Sequence, residues 1–165
     1  MIRIIADSAC DLPAELVAQY GIVIMPMHIS FGEATYDDQT EISTEAFYER
    51  LVGGREIPTT SYPAIGRYQS VVDEELAAGN QVLIITIAQL LSGCYDSLRL
   101  LFADYPPDKV AVFNSQSATL GEGAIVLAAA RLAAEGCDFE QLKAALPGLI
   151  ARSQGYGAIN NLTYL

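Results

Sequence analysis

Four short polar stretches, each following an apolar run typical of a strand, hold the residues best able to do chemistry. Hydroxyls and glycines at strand-to-helix turns bring side-chain O–H groups and backbone N–H groups together, where the positive end of a helix dipole favours an anion. The pattern predicts a neutral, donor-rich site that binds a carboxylate or phosphate rather than cleaving one. The stretches are residues 7–13, 59–63 and 91–95, and Asn114-Ser115 followed by Gly121-Glu122-Gly123.

Several of these residues also have an ordinary structural interpretation. Ser92 and Gly93 open a predicted helix, where a carboxylate gains about 0.3–1 kcal/mol from the unpaired N–H groups, but Ser92 can equally be a simple N-cap. Thr60 and Ser61 pose the same choice, because Ser61 can cap the helix entered through Pro63. Ser8, with Asp7, either orients a ligand or closes the first strand-to-helix turn.

Residues for bond chemistry are few. Cys94 at a helix N-terminus could have a lowered thiol pKa and act as a nucleophile, but this requires a base, and no histidine lies nearby in the sequence. A small packing residue is the favoured interpretation of Cys94. The only histidine, His28, lies in an apolar stretch and is predicted to be a strand residue without a chemical role. The glycines around Glu122 lack the lysine of a nucleotide-binding loop. We therefore predict no catalytic residue, no metal and no cofactor.

The composition of the chain excludes some classes of binding partner. The 165 residues carry a net charge of −11, which argues against binding nucleic acid or anionic lipid headgroups. Three scattered cysteines fit reduced thiols, and no apolar run is long enough to span a membrane, so we expect a cytoplasmic protein without stable membrane insertion. Glu41, Glu45 and Glu49 recur at helical spacing and form either a solvated face or a docking surface for a basic partner.

The elements that position these stretches alternate between strands and helices. Strands are predicted over 1–6, 22–31, 81–87 and 109–113, with a hairpin turn at Gly32 and a loop over 55–62. Asp11 is predicted to cap a helix ending at Gly21, Ser43 a helix ending at Gly53, and Gly121 to begin an alanine-rich helix ending at Gly136. Further helices are predicted after Pro63, over 92–103 and over 138–152.

This alternation predicts an α/β fold, a parallel sheet with helices on both faces. Ligands of such sheets bind beyond the carboxyl ends of the strands, where three of the four polar stretches fall. After the last predicted helix, a further strand begins near Gln154, and the apolar segment 162–165 follows.

Taken in order, the stretches resemble the DegV family of bacterial fatty-acid-binding proteins, some of which are carrier subunits of a fatty-acid kinase. Family members show Asp-Ser-x-x-Asp-Leu, Thr-Ser-Gln-Pro, Leu-Ser-Gly-Thr-Tyr and Asp-Ser motifs, the last followed by Gly-x-Gly. Here these correspond to 7–12, 60–63, 91–95 and 114–115 with 121–123. The resemblance implies two α/β lobes with an acyl tunnel between them, and a lipid carboxylate held by Thr60 with Ser61 and by Ser92 with Gly93.

The chain departs from the family pattern at three of these positions. Tyr62 replaces the usual glutamine, Cys94 the usual threonine and Asn114 the usual aspartate. Ser8, Cys94 and Asn114 are secondary candidates for the head-group pocket. The chain is also shorter than a full member, so the resemblance implies that residues 1–165 form one N-terminal lobe, with a second lobe beginning near 154 and largely absent.

Three functions are compatible with the sequence. The first is a non-catalytic carrier that binds a long-chain fatty acid and presents its carboxylate to a partner kinase. The second is a small acyl- or phosphate-directed enzyme with Ser92 or Cys94 as nucleophile. The third is a truncated interaction domain that does not bind lipid.

Overall fold

A computed structural model describes residues 1–54 and 57–156 and shows the predicted alternation of strands and helices. In chain order the elements are β1 (Ile2–Asp7), α1 (Ala14–Tyr20), β2 (Val23–Met25), β3 (His28–Phe31), β4 (Ala34–Asp37), α2 (Thr44–Gly53), β5 (Thr59–Ser61), α3 (Ile65–Ala77), β6 (Gln81–Thr86), α4 (Cys94–Leu101), β7 (Val110–Asn114), α5 (Thr119–Ala134) and α6 (Phe139–Arg152). A short 3₁₀ turn, Ser8–Cys10, follows β1.

The larger sheet has four parallel strands in the order β2, β1, β6, β7. Side chains alternate between its two faces, so Ile4 and Leu83 pack with α1, α5 and α6, whereas Ile5 and Ile84 pack with α3 and α4. Both faces are therefore buried, which explains the nearly continuous apolar runs of β1 and β6. The predicted α/β fold with helices on both faces is confirmed.

A second sheet has three antiparallel strands in the order β4, β3, β5. Its apolar face, which includes Ile29 and Phe31, packs against Phe47 of α2. The predicted hairpin at Gly32 is confirmed, but the predicted single strand over 22–31 is wrong. Pro26 divides it into β2 and β3, because proline has no N–H to continue the parallel ladder and its φ is fixed.

The predicted loop over 55–62 contains the short strand β5. All three residues of β5, Thr59–Ser61, are exposed and polar, so no apolar alternation marks them as a strand. They become a strand by backbone pairing with β3, where Thr60 lies opposite Ile29. Residues 55 and 56 lie outside the described ranges.

The first helix begins differently from the prediction. Asp11 has φ of 50°, in the left-handed region, and ends the 3₁₀ turn rather than capping α1. Asp7 is the capping residue of that turn, accepting from the Ala9 N–H at 3.2 Å, and α1 itself starts after Pro13. Gly21, with φ of 60°, ends α1 as predicted.

Other predicted helix ends are mostly confirmed. Ser43 caps α2 by accepting from the Ala46 N–H at 3.2 Å, and Asp138 forms a capping box with Gln141 at the start of α6. The alanine-rich helix α5 starts at Thr119, two residues before the predicted Gly121. Residues 153–156 form no regular element, and the rest of the strand expected near Gln154 lies in 157–165, outside the described residues.

No helix in the described ranges is long and apolar enough to cross a bilayer.

Helix α5 packs closely against the turn after β1 because Gly123 has no side chain. A Cβ atom built on Gly123 would lie 2.3 Å from the carbonyl oxygen of Cys10, closer than any van der Waals contact allows. Gly148, which is also inside a helix, has no atom within 4 Å of the same position. Gly123 is therefore required by packing, and Gly148 is not.

We expect Gly123→Ala to lower the free energy of unfolding by about 1–3 kcal/mol, because α5 or the turn must shift. Gly148→Ala is the matched control and should raise it by roughly 0.5–1 kcal/mol through the better helix propensity of alanine. Urea unfolding of both variants measures the difference. Equal effects of the two substitutions would contradict the close contact.

Glu122, in the first turn of α5, is a carboxyl group fully buried in the core. Neither of its oxygens has a hydrogen-bond partner among the described residues. Burial, with smaller contributions from the charges of Asp7 and Asp11, raises the pKa of Glu122 to about 10. The group is therefore protonated in the folded protein at neutral pH.

This buried acid makes stability depend on pH. Since the folded pKa lies above the usual 4.5, folded Glu122 keeps its proton above pH 4.5 while the unfolded chain loses it. The contribution of Glu122 to the free energy of unfolding is complete below about pH 4.5. It declines by about 1.4 kcal/mol per pH unit as the pH rises toward 10.

We expect Glu122→Gln to be more stable than the wild type at pH 8 and similar to it at pH 4.5. Urea unfolding at the two pH values tests this, with Glu135→Gln, an exposed carboxyl after the same helix, as control. If the free energies of unfolding of the wild type and of Glu122→Gln change in parallel with pH, Glu122 is not protonated in the folded protein.

Candidate functional site

Three of the polar stretches meet at one edge of the larger sheet, as the sequence predicts. They follow β1, β6 and β7, which are neighbours in the sheet, at their carboxyl ends. Hydrogen bonds join them: the Ile87 N–H donates to Asp7 Oδ2 at 2.9 Å and the Gln89 N–H to Asn114 Oδ1 at 3.1 Å. The turns after the three strands form one connected surface.

Ser92 and Gly93 stand at the start of α4. Ser92 is half-buried, and its Oγ accepts from the Cys94 N–H at 3.2 Å, although Gly93 is the N-cap residue of α4. This bond uses an acceptor lone pair, so the Ser92 O–H remains available as a donor. Gly93 is exposed and immediately precedes Cys94, the first residue of α4. The turn can thus offer a hydroxyl and a helix N-terminus to the same anion.

Thr60 and Ser61 are both exposed on β5 but point to opposite faces of the smaller sheet. Thr60 lies opposite Ile29 and Ser61 opposite His28. Residues directly opposite each other in an antiparallel pair share a face, and neighbours along a strand alternate. The two hydroxyls therefore do not converge in the way the sequence motif suggests.

Tyr62 connects β5 with the start of α4. Its ring atom Cε1 lies 3.6 Å from the position that a Cβ on Gly93 would occupy. Its hydroxyl accepts a hydrogen bond from Ser97 Oγ at 3.3 Å. The residue that departs from the family glutamine thus brings the 59–63 stretch against the first turn of the helix that Ser92 precedes.

Ser8 and Asn114, two of the secondary candidates, make hydrogen bonds within the protein. Ser8 is buried, and its Oγ donates to Asp38 Oδ2 at 2.7 Å and accepts from the Met27 N–H at 3.0 Å. Asn114 Oδ1 accepts from the Gln116 N–H at 2.9 Å in addition to Gln89. Asn114 therefore closes the turn after β7, whereas Ser8 joins the end of β1 to Met27 and Asp38.

Asp7 lies beneath this surface and is fully buried. Burial raises the pKa of Asp7 to about 6, although the N–H groups of Ile87 and Ala9 oppose the increase. Its two oxygens each accept one of those N–H groups, which ties the end of β1 to the end of β6. Asp7 therefore supports the turns from below rather than lining an exposed pocket.

The thiol of Cys94, the remaining secondary candidate, is less acidic than its position at a helix N-terminus suggests. Its side chain is fully buried, with Sγ 3.8 Å from the Tyr68 hydroxyl. Burial raises the pKa of Cys94 to about 12, the nearby charge of Asp7 acting in the same direction. The lowered thiol pKa considered from the sequence is wrong, because desolvation outweighs the helix terminus.

The sole imidazole belongs to the smaller sheet. His28 begins β3, as its apolar neighbours predict, and its Nδ1 lies 2.8 Å from Asp37 Oδ1. Asp37 Oδ2 in turn accepts from Arg67 at 2.6 Å. The sequence pattern did not reveal this cluster, because its members lie in three separate elements. Among the described residues no group of three or more His, Cys, Asp or Glu side chains could hold a metal ion.

In open α/β folds, ligands commonly bind beyond the carboxyl ends of adjacent strands, which is where these uncharged donors lie. The chain belongs to the DegV family, since the model of that family, described as an uncharacterised protein family, matches residues 1–165.

Relatives in several bacteria support this assignment. A DegV domain-containing protein of Clostridium perfringens is 37% identical over 142 residues, covering 86% of this chain and 51% of its own length. One from Caldanaerobacter subterraneus is 32% identical over 164 residues, covering 99% of this chain and 58% of its own. The chain thus spans about half the length of the curated relatives it matches.

Solved structures share the fold. A DegV family protein from Thermus thermophilus, described by its fatty-acid binding, has a TM-score of 0.82 and 33% identity, covering 91% of this chain and 53% of its own. A stearic-acid-binding protein from Eubacterium ventriosum has a TM-score of 0.81 and 32% identity, with coverages of 89% and 52%.

Thiol labelling tests whether Cys94 is reactive. With Ellman's reagent at pH 8 we expect one rapid reaction, at the half-buried Cys137, because Cys10 and Cys94 are buried and burial raises the pKa of each to about 12. Cys137→Ser should remove the rapid phase, and unfolding in urea should expose both remaining thiols. Rapid labelling that disappears in Cys94→Ala would instead support the nucleophile hypothesis.

Proposed function

We propose that this protein binds a long-chain fatty acid without catalysing a reaction and presents the carboxylate to a partner kinase. The acid is held at the junction between β5 and the start of α4, with Thr60 on one side and Ser92 with Gly93 on the other. The observation that carries this proposal is the hydrogen bond from Ser97 of α4 to the Tyr62 hydroxyl, which brings these two donor-rich stretches together. Structural relatives described as fatty-acid-binding proteins, at 32–33% identity, support it.

Of the two hydroxyls on β5, we propose Thr60 rather than Ser61 as the ligand. Both were candidates from the sequence, but they lie on opposite faces, and Ser61 shares its face with His28. A carboxylate held between β5 and α4 can therefore accept from one of these side chains, not from both. We assign this role to Thr60. Ser61 lies on the face of the smaller sheet that carries His28.

The chemistry of the proposed site favours binding over catalysis. Thr60, Ser92 and Gly93 are uncharged, and the thiol of Cys94 is protonated at neutral pH because burial raises its pKa to about 12. The one imidazole is paired with Asp37 on the smaller sheet. Among the described residues, neither Ser92 Oγ nor Cys94 Sγ is hydrogen-bonded to an imidazole or a carboxylate that could act as its base.

The hydrocarbon chain, not the head group, should supply most of the affinity. Each buried CH₂ contributes about 0.8 kcal/mol, so roughly fourteen methylenes contribute on the order of 10 kcal/mol before ordering costs. Contacts with the carboxylate contribute only about 1–2 kcal/mol. The acyl chain thus holds the ligand, and Thr60 and Ser92 determine which end faces the partner enzyme.

Native mass spectrometry tests lipid binding directly. We expect the protein, purified in its complete reading frame, to retain a C14–C18 fatty acid. The 165-residue chain should be measured beside it, because this chain spans about half the length of its relatives. Retention only by the longer protein would favour the interaction-domain hypothesis for this piece, and an empty longer protein would refute the carrier hypothesis.

Ser92→Ala and Thr60→Ala test the division of roles. Each should weaken fatty-acid binding by about tenfold or less, since one hydrogen bond is worth roughly 0.5–1.5 kcal/mol, yet impair transfer of phosphate to the bound carboxylate. Titration calorimetry measures the first effect and a coupled kinase assay the second. Ser70→Ala, an exposed serine of α3, is the control. A loss of binding above about a thousandfold with the fold intact would contradict the assignment.

A further inference from the structure

The two sides of the proposed carboxylate site belong to different sheets. Thr60 lies on β5 of the smaller sheet, and Ser92 follows β6 of the larger one. No strand pairing joins the two sheets in the described ranges. The separation of the two hydroxyls therefore depends on the side-chain contacts that hold the smaller sheet in place.

One such contact is made by Asp37, the last residue of β4. Its Oδ1 lies 2.8 Å from Nδ1 of His28 on β3, and its Oδ2 accepts from the Arg67 guanidinium at 2.6 Å. Arg67 lies in the first turn of α3, and α3 packs on the larger sheet through Tyr68 and Val72. Asp37 thus connects the smaller sheet to a helix fixed on the larger one.

This connection closes a ring of contacts around β5. β5 pairs with β3, β3 pairs with β4, and β4 is joined through Asp37 to Arg67. The chain itself completes the ring, because only residues 62–64 separate β5 from α3. A ring of this kind limits how far β5 can move away from α3, and therefore limits the movement of Thr60.

The charges at Asp37 are suited to this role. The hydrogen bond from Arg67 is the main cause that lowers the pKa of Asp37, and His28 adds to it. The Asp37 side chain is 19% exposed and that of Arg67 is 47% exposed, so the pair is only partly shielded from salt. The next residue makes a parallel contact, since Asp38 accepts from Ser8 after β1.

We propose that Asp37 is a positioning residue for the fatty-acid carboxylate: by joining His28 on β3 to Arg67 on α3, it fixes Thr60 at a constant distance from Ser92. This inference rests on the proposed function for its ligand, but the positioning itself is measurable without any lipid. Asp37 does not touch the ligand. Its effect is transmitted through β3 and β5.

Distance measurement tests the positioning. Spin labels are attached at Thr60→Cys and Ser92→Cys on a Cys137→Ser background in the protein in its complete reading frame, because Cys10 and Cys94 are buried. Dipolar broadening of the low-temperature continuous-wave electron paramagnetic resonance spectrum, which reports spin pairs at short separation, should give a narrow distance distribution that becomes wider in Asp37→Asn. Asp37→Glu, which keeps a carboxylate able to accept from both His28 and Arg67, should give a narrower distribution than Asp37→Asn. A distribution unchanged by Asp37→Asn would overturn the proposal.

Glu75→Gln is the matched control. Glu75 is a carboxylate 17% exposed and paired with Arg3 at 2.8 Å, but it joins β1 to α3 without involving the smaller sheet. We expect Glu75→Gln to leave the distribution unchanged even if both variants lower the melting temperature. Equal broadening in the two variants would show a general loss of structure and would also overturn the proposal.

Fatty-acid binding supplies the second measurement. Asp37→Asn should weaken stearate binding by about two- to fivefold, and raising the salt concentration should weaken the wild type more than the variant. If the wild type binds no stearate but the distance distribution still broadens in Asp37→Asn, the proposed function is refuted and the positioning by Asp37 is supported. Stearate binding with no distance change in Asp37→Asn would refute the positioning alone.

Discussion

The parallel pairing of β1 with β6 is the constraint on which the rest of this structure depends. It places five residue pairs side by side, from Ile2 with Gln81 to Ala6 with Ile85, and buries them between two layers of helices. Because the strands run in the same direction, their polar ends meet at one edge. The Asp7 carboxylate then accepts the Ile87 N–H across that edge, so the turns that follow both strands are held together.

Burial at this edge determines which polar groups can act on a ligand. The side chains removed from solvent are Asp7, Ser8, Cys94 and Glu122. Burial raises the pKa of Asp7, Cys94 and Glu122, which favours the neutral form of each. Ser92 and Gly93, which remain accessible, are uncharged donors. A hydroxyl and backbone N–H groups at a helix start can stabilise an anion, as the proposed binding of a carboxylate requires.

The smaller sheet forms the second side of the proposed site and has only a small apolar core. It has its own small apolar cluster under α2 and is held to the larger sheet by polar contacts at Asp37 and Asp38. Tyr62 adds to this attachment through the hydrogen bond that its hydroxyl accepts from Ser97 of α4. Each of these contacts is weaker than the packing of the main core, so the position of the smaller sheet depends on all of them together.

The sequence by itself determined the α/β fold, the main strands and most helix ends, because these follow from local patterns: apolar runs, caps such as Ser43 and Asp138, and glycines such as Gly21. The family could also be identified from motifs that are contiguous in the chain. Tertiary structure decided what local patterns do not contain. Pro26 sends one apolar run into two sheets, exposed polar residues become β5 by pairing, and Thr60 and Ser61 are separated onto opposite faces. Burial raises the pKa of the Cys94 thiol, and Asp37 contacts Arg67, 30 residues away in the chain, because desolvation and long-range contacts depend on the packed chain as a whole.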